Sequence, residues 1–189
     1  MIVLLSYPVA ISNETLIINR LLEQHPHLIF HLRKPSWERA TFNELIQSIQ
    51  TEFHSRIVIH QHHELMDSFA LKGIHYTEKD RISEKQHDRV ISTSFHQLVE
   101  ARKNESDYNY FFCSPVFPSI SKAGYTTNEV WDITSESNHF KEKAIALGGI
   151  DSSRFTEVRQ LGFQHIAVLG TIWESNDPEK SLSDIITNF

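Results

Sequence analysis

Residues Tyr108–Tyr125 read Y-N-Y-F-F-C-S-P-V-F-P-S-I-S-K-A-G-Y, an aromatic run that passes into a polar loop. The aromatic half predicts a buried strand over Tyr108–Phe112, and the loop after it carries Ser119, Ser121 and Lys122. Two hydroxyls and an ammonium group are suited to hold an anion, although ordinary polar surface loops contain the same residue types. Because α/β barrels and open sheets build their active sites at the carboxyl ends of strands, the first interpretation predicts a phosphate-handling loop there.

Seven further β-rich runs lie along the chain, with amphipathic segments between them. The additional predicted strands are Ile2–Ser6, Leu28–Leu32, Arg56–His60, Gly73–Tyr76, Val90–Thr93, Ala144–Leu147 and His165–Leu169. The predicted helices are Glu14–Gln24 (capped by Ser12 or Asn13), Thr41–Phe53, Glu64–Leu71, Ile82–Asp88, Phe95–Asn104, Ser153–Leu161 and Glu179–Asn188, with a weak helical pattern over Thr126–Phe140.

The alternation of strands with helices predicts the fold. Parallel neighbouring strands need crossover connections, so repeated βα units indicate a parallel sheet. Eight strands favour a single α/β domain over residues 1–189, a compact (β/α)8 TIM barrel. Some of its helices must be shortened, because the chain is below the usual length of ~200 residues or more. An open, doubly wound sheet is the alternative.

The composition excludes several classes of protein. A net charge of -6, with no basic run, offers no field for nucleic acid. No apolar stretch approaches the ~20 residues of a membrane helix, and no secretory signal pattern precedes the first strand. The single Cys113 cannot form an internal disulfide. We therefore expect a cytoplasmic protein whose partners are small molecules; the sequence does not indicate its oligomeric state.

Two glycine-bearing strand ends are candidate phosphate sites. Gly148-Gly149 follows the seventh predicted strand, and Gly170-Thr171 follows the eighth. A backbone without a Cβ lets a phosphate approach closely, and loops after strands seven and eight form the usual phosphate site of a barrel. A glycine pair alone also serves to turn a chain, but the two positions together favour phosphate binding.

The ends of the second and third strands carry cations and imidazoles. Arg33 and Lys34 would suit a diphosphate, or they are a solvated strand end. His60 and His62 share one face of an extended segment and are a possible zinc pair. No second ligand motif with recognised spacing follows them, so polar residues at a strand end are the favoured interpretation.

The fourth and fifth strand ends add groups for metal binding and proton transfer. Asp80 offers a carboxylate of the kind that binds Mg²⁺ together with substrate phosphate, or it caps a helix that begins at Ile82. Ser94 and His96 lie at a strand-to-helix junction, where an imidazole can transfer protons. The alternative there is a capping serine and an exposed helical histidine.

Taken in order, these pieces resemble the thiamine phosphate synthase/TenI family. The most specific match is Ser114–Lys122, S-P-V-F-P-S-I-S-K, against the family's G-P-V-F-P-T-x-(S/T)-K. Five further segments follow family motifs in the same order: His31–Pro35, His60–Leu65 with Gly73–Asp80, Ser92–Ala101, Ala146–Ile150 and Gly162–Ile172.

The resemblance implies a (β/α)8 barrel and a set of residue roles. In the synthase, an aminopyrimidine diphosphate loses Mg²⁺-bound pyrophosphate and the nitrogen of thiazole phosphate attacks the resulting methylene. Catalytic roles fall on Ser94, which lines the reacting centre, and Lys122. The substrate-binding residues implied are Arg33, Ser121 and Lys122 for pyrophosphate, and Gly148, Gly149, Gly170 and Thr171 for thiazole phosphate, with Lys34, His60 and Ser119 as further substrate-binding residues.

Three departures from the family motifs leave the activity open. Gln61 stands where the synthase has its first Mg²⁺ aspartate, so the implied metal ligands are Asp80 and the weaker Gln61. His60 replaces an asparagine, and Pro35 stands at a lysine position. The TenI branch is a thiazole tautomerase that needs no metal and uses a histidine at the position of His96. The resemblance therefore implies a Mg²⁺-dependent synthase, a metal-free tautomerase, or a relative that binds thiazole phosphate without turnover.

Overall fold

The protein, described here from a computed structural model, forms a closed barrel of eight parallel strands. The structure describes residues 1–81, 89–118 and 130–189. The strands are β1 (Ile2–Leu5), β2 (Ile29–Leu32), β3 (Ile57–Ile59), β4 (Gly73–Tyr76), β5 (Val90–Phe95), β6 (Tyr110–Cys113), β7 (Ala144–Leu147) and β8 (Ile166–Val168).

Pairing of the first strand with both of its neighbours closes the sheet. Val3 of β1 is in register with Ile29 of β2 on one side and with Ala167 of β8 on the other. All neighbouring strands run parallel and follow chain order. The predicted barrel is therefore confirmed, and the open, doubly wound alternative is wrong.

The helices cover the outside of the barrel, and most of them are short. They are α1 (Glu14–Gln24), α2 (Arg39–Ser48), α3 (Leu65–Ser68), α4 (Leu98–Asn104), α5 (Asn138–Lys143), α6 (Phe155–Gln160), α7 (Gly170–Trp173) and α8 (Pro178–Asn188), with 3₁₀ turns at Thr51–Arg56, Glu78–Asp80, Glu105–Asp107 and Ser152–Arg154. In the part of the chain that the structure describes, no helix is both long and apolar enough to cross a bilayer.

Most helix boundaries differ from the prediction by one or more residues, and two of the differences have a clear cause. The predicted helix Thr41–Phe53 ends at Ser48, because Nε2 of His54 folds back to the carbonyls of Ile46 and Ile49, at 3.2 and 3.1 Å. Such a side-chain donor satisfies carbonyls that a helix end leaves without partners.

The helix predicted to begin at Phe95 begins instead at Leu98, because Phe95 is fully buried and pairs with Cys113 in the sheet. Asn13 does precede α1, but its side chain makes no capping hydrogen bond. The predicted helix Ile82–Asp88 lies outside the described residues, and α7 was not predicted.

Side chains alternate between two buried layers, as the two-residue period of a strand requires. The outer layer, between strands and helices, includes Leu4, Phe30 and Ile59. The barrel interior is lined by a second group: Val3, Leu5, Ile29, Val58, Tyr110, Phe112, Ile145 and Ala167. Whether a residue near a strand end faces the interior or the helices is thus set by its parity along the strand.

Candidate active site

A cavity of about 540 Å³ opens at the carboxyl ends of the strands. Its described walls come from the ends of most of the strands, including β2, β5, β7 and β8, and they combine apolar strand residues with polar loop residues. The size and place are those of a small-molecule site in a barrel. Its charged lining residues among those described are Arg33, Glu78, Asp151 and Glu174.

Arg33 and Lys34 lie on opposite sides of the sheet. Arg33 follows the interior-facing parity of Ile29 and lines the cavity. Lys34 follows the outward parity and is fully buried against the helix layer, where its Nζ lies 2.5 Å from Oε1 of Glu14. The prediction that both cations bind a diphosphate is therefore wrong for Lys34, since alternation along the strand separates them.

The Lys34–Glu14 ion pair is a structural element between β2 and α1. The ammonium group also donates to the carbonyl of Val9, at 2.8 Å, and lies over the ring of Trp37. Burial raises the pKa of Glu14 and lowers the pKa of Lys34, in each case against the opposing effect of the partner. Desolvation is thus the larger influence on both groups, as expected of a buried pair.

The predicted Mg²⁺ ligands are not equally suited to a metal ion. The carboxamide of Gln61 bonds to the backbone of Lys34 through both of its polar atoms, so its oxygen is not directed into the cavity. Asp80 is exposed and accepts a hydrogen bond from Thr77 at 2.5 Å. Sequence reasoning missed Glu78, which lines the cavity in the same 3₁₀ turn. The residues present therefore fit a hard cation at Asp80 and Glu78 better than at Gln61.

Ser94 and His96 both line the cavity, at the end of β5. Ser94 is still in the strand, and its Oγ lies 3.0 Å from Nε2 of His75. His96 is exposed, and its Nδ1 lies 2.6 Å from the carbonyl of Ser114. A carbonyl only accepts, so Nδ1 carries the proton and Nε2 of a neutral ring is left as a base. The geometry is compatible with proton transfer by His96.

Three buried histidines, His31, His60 and His75, meet in the floor of the cavity. Nδ1 of His31 lies 2.9 Å from Nε2 of His60, and the rings of His60 and His75 stack at 4.1 Å. The three residues offer ligand atoms within 4.8 Å of one another. Burial lowers the pKa of His31 to about 3 and holds the pKa of the other two well below the usual value.

This cluster replaces the histidine pair that the sequence suggested. His62 has a positive φ of 54° and its Nε2 lies 3.0 Å from the carbonyl of Trp37, so it turns away from His60. His31 and His75 were not predicted as site residues. Their equivalent positions in β2 and β4, with the same interior parity, are the sequence signal that indicates the cluster.

The predicted glycines line the wall of the cavity formed by the ends of β7 and β8, across the barrel from the histidine cluster. Gly148 and Gly149 have φ values of 104° and 62°, in the region that favours glycine. A Cβ on Gly149 would lie 2.7 Å from the carbonyl oxygen of Pro118, so no side chain fits there without movement. Gly170 and Thr171 also line the cavity, and Thr171 donates to the carbonyl of Ile150 at 2.7 Å.

Part of the sixth-strand loop lies against these glycines. The amide of Val116 donates to the carbonyl of Leu147 at 2.9 Å, and the amide of Phe117 donates to that of Gly148 at 3.2 Å. The predicted position of this loop at the cavity mouth is therefore confirmed for Ser114–Pro118. The other predicted residues of the loop, Ser119, Ser121 and Lys122, lie outside the described residues.

Glu174 adds a negative charge that sequence reasoning did not identify. It lines the cavity, and its Oε1 would lie 3.4 Å from a Cβ on Gly170. Asp151, the neighbouring carboxylate, instead accepts from the amide and hydroxyl of Ser153, at 2.8 and 2.6 Å. The wall formed by Gly148, Gly149, Gly170 and Thr171, called the glycine wall below, therefore combines open backbone with two nearby carboxylates, of which Asp151 is hydrogen-bonded to Ser153.

A closed parallel barrel with a polar cavity at the carboxyl ends of its strands defines the class of (β/α)8-barrel enzymes. Comparison with protein families narrows this class: residues 9–172 match the TMP-TENI model, described as thiamine monophosphate synthase. The chain belongs to this family, as the sequence motifs predicted.

Curated relatives at similar distances carry a single name. A thiamine-phosphate synthase of Synechococcus sp. (strain CC9311) is 27% identical over 152 residues, 76% of this chain and 42% of the relative. One from Bacillus cereus (strain ATCC 10987 / NRS 248) is 26% identical over 159 residues, 79% of this chain and 70% of the relative. The chain thus spans less than half of the first relative and about two thirds of the second.

Solved structures agree with the fold. A thiamine phosphate pyrophosphorylase from Bacteroides thetaiotaomicron has a TM-score of 0.76 at 30% identity, covering 93% of this chain and 86% of its own. One from Pyrococcus furiosus also reaches 0.76, at 16% identity, covering 98% and 93%, and shows similarity of fold.

Proposed function

We propose that the protein is a thiamine-phosphate synthase, which joins an aminopyrimidine diphosphate to a thiazole phosphate and releases pyrophosphate. The observation that carries the proposal is the position of Arg33. This residue lines the cavity at the end of β2, where the family motif has its strand-two arginine. Among the described residues, no carboxylate lies within ion-pair distance of it. A planar guanidinium without a partner is suited to bind a diphosphate through two parallel hydrogen bonds.

In this reaction the bond between the pyrimidine methylene and the diphosphate oxygen breaks, and its electron pair leaves with pyrophosphate. The thiazole nitrogen then supplies the electron pair of the new C–N bond. Arg33 holds the departing charge on one side of the cavity, while the backbone at Gly148-Gly149 and Gly170-Thr171 holds the second substrate opposite. Ser94, fixed by its hydrogen bond to His75, lines the space between them.

Asp80 and Glu78 are the residues that would hold Mg²⁺ in this proposal. They lie in one 3₁₀ turn after β4, and Glu78 lines the cavity as Arg33 does, whereas Asp80 is exposed beside it. Mg²⁺ takes one or two carboxylates together with substrate phosphates and water. When bound, the ion would neutralise charge on the leaving pyrophosphate. The same carboxylates without a cation would repel a diphosphate, so a metal requirement follows from their charge.

A thiazole tautomerase is the second candidate, and His96 is the observation that favours it. Its Nδ1 is fixed as a donor by the carbonyl of Ser114, and the residue lines the cavity. A neutral imidazole held in one tautomer is arranged for proton shuttling on a thiazole ring. This reaction uses neither a diphosphate nor a metal, so it leaves Arg33 and Asp80 without a role.

Loss of Asp80 and loss of His96 distinguish the two reactions. For a synthase, Asp80→Asn is expected to lower thiamine phosphate formation by at least ~10²-fold, and EDTA is expected to abolish it, since the leaving-group charge is no longer neutralised. His96→Asn then costs less than about tenfold. For a tautomerase, His96→Asn removes the ~10²–10⁴-fold contribution of a positioned base, and EDTA has no effect.

Both activities should be measured on the purified wild type and the two variants, with and without added Mg²⁺. Metal-independent isomerisation that is lost in His96→Asn would replace the synthase proposal with the tautomerase. If neither reaction is detected but saturable binding of thiazole phosphate remains, the protein is a binding protein rather than an enzyme.

The glycine wall gives a second prediction, in which two substitutions change affinity in opposite directions. Gly149→Asp is expected to abolish binding of thiazole phosphate, because it adds a charge and a side chain where a Cβ already meets Pro118. Glu174→Gln is expected to tighten binding about fivefold, because removal of a partly exposed like charge is worth ~1 kcal/mol.

Calorimetric titration with thiazole phosphate measures both effects. Thermal unfolding of Gly149→Asp separates loss of the site from loss of the fold, and Glu174→Gln has no such ambiguity because its side chain keeps its shape. Unchanged affinity in both variants would place the anion elsewhere in the cavity.

A further inference from the structure

The floor of the cavity contains a histidine cluster: His31 from β2, His60 after β3 and His75 from β4. The proposed reaction uses it only through the hydrogen bond of His75 to Ser94. The three strands are neighbours in the barrel, and all three imidazoles point to its interior because they share the same parity. His60 and His75 also line the cavity. The cluster is therefore buried among strands on one side and reaches the cavity on the other.

The spacing of the rings can be compared with that of a tetrahedral metal site. Metal–nitrogen bonds of ~2.0–2.1 Å place the ring centres of two imidazole ligands roughly 5 Å apart. The centres of His31 and His60 are 5.1 Å apart, and those of His31 and His75 are 5.5 Å apart. The stacked pair, His60 and His75, has ring centres 4.1 Å apart and ring planes only 22° apart. These two rings would have to separate by about 1 Å and tilt, so that a nitrogen of each points at one ion.

In His31 and His75, a hydroxyl group is hydrogen-bonded to the ring nitrogen that would not bind the metal ion. Nε2 of His31 lies 2.7 Å from the hydroxyl of Tyr110, and Nδ1 of His75 lies 2.9 Å from Oγ of Ser92. Partners of this kind fix the orientation of a metal-binding imidazole through the nitrogen that does not bind. His31 then has Nδ1 for a ligand atom, and His75 has Nε2.

The protonation state also suits a metal ion. Burial keeps the pKa of His31 at about 3 and the pKa of His60 and His75 well below the usual value, so all three rings are neutral near pH 7. A neutral imidazole binds a metal ion without first releasing a proton. A bound ion would replace two hydrogen bonds, between His31 and His60 and between His75 and Ser94, with three metal–nitrogen bonds.

We propose that His31, His60 and His75 form a binding site for a divalent first-row transition-metal ion, Zn²⁺ in the first instance, with its fourth position open to the cavity. Three neutral imidazoles select Zn²⁺ or Co²⁺ over Mg²⁺, which prefers oxygen ligands. The site is thus separate from the carboxylates Asp80 and Glu78. Three histidines and an open position are the ligand set of a catalytic rather than a structural zinc site.

Titration of metal-free protein with Co²⁺ tests the proposal directly. The wild type, stripped with a chelator and exchanged into metal-free buffer, is expected to bind one Co²⁺ per chain. The bound ion should show the intense visible absorption of four-coordinate Co²⁺ and be displaced by Zn²⁺ but not by Mg²⁺. His31→Gln and His75→Gln are each expected to weaken Co²⁺ binding by at least ~100-fold, beyond the usual effect of losing an outer partner.

Two further variants separate a metal site from a hydrogen-bonded core. Tyr110→Phe keeps all three ligands and is expected to weaken binding by ~10–100-fold, as loss of an outer partner does. His62→Asn, a matched histidine change outside the cluster, is expected to leave affinity within about twofold. The proposal is overturned if the wild type binds no Co²⁺ with this absorption, or if His75→Gln binds as well as the wild type. Because the measurement needs no turnover, its failure is independent of the synthase proposal.

Discussion

Lowering the pH from about 7 to about 5 is expected to reduce the free energy of unfolding of the metal-free protein by ~2 kcal/mol or more, a large part of the stability of an ordinary domain. The cause is His31, His60 and His75, which burial keeps neutral in the folded state. In the unfolded chain each histidine has a pKa of about 6.5 and takes up a proton as the pH falls. His31, with a folded-state pKa of about 3, therefore contributes about 2 kcal/mol over this interval, and His60 and His75 act in the same direction.

The direction of the effect follows from the depressed folded-state pKa values. The unfolded state binds more protons than the folded state between about pH 6.5 and the folded pKa, which is about 3 for His31. Stability is therefore complete above about pH 6.5 and falls as the pH drops below it. The guanidinium groups of Arg33 and Arg81 act in the same direction on this cluster, since each opposes a further positive charge there.

Denaturant unfolding between about pH 5 and pH 7, in the presence of a chelator, measures this slope. His31→Gln is expected to lower the slope by about one proton, ~1.4 kcal/mol per pH unit. Phe112→Leu is the matched control, because Phe112 packs on both His31 and His75 but does not titrate. It should lower stability equally at every pH. A wild-type slope below one proton would show that the cluster is already protonated or solvated when folded.

Replacing Lys34 with Met is expected to destabilise the protein by ~3–5 kcal/mol, because it leaves the carboxylate of Glu14 buried without a partner. Burial already raises the pKa of Glu14 while Lys34 is present, so loss of the ammonium group removes what opposes this. The double variant Glu14→Leu/Lys34→Met is expected to recover most of the loss, since it removes both buried charges.

Chemical denaturation of Lys34→Met, Glu14→Leu and the double variant gives the coupling energy between the two side chains. The double variant also tests the function of Lys34, because its cavity is unaltered. Its KM for the aminopyrimidine diphosphate is expected to equal that of the wild type, whereas Arg33→Met should raise it. A raised KM in the stable double variant would return Lys34 to the substrate site.

The sequence was sufficient for the barrel, because local patterns decide it. Short β-rich runs alternating with amphipathic segments require parallel pairing, and eight of them close a sheet. The glycine-bearing ends at Gly148 and Gly170 were likewise readable, since open backbone after strands seven and eight has a known place in this fold. Helix ends were less accurate, as at Ser48, because the side chain of His54, which follows the helix, bonds back to the carbonyls of its last turn.

The composition of the site needed the tertiary structure. Arg33 and Lys34 are adjacent in sequence and look equivalent there, yet strand alternation sends one into the cavity and the other to Glu14, twenty residues earlier. His60 and His62 are close in sequence and separate in space, whereas His31, His60 and His75 are distant in sequence and meet. The sequence determines which face of a strand each residue takes, but only closure of the barrel brings the interior faces of different strands together.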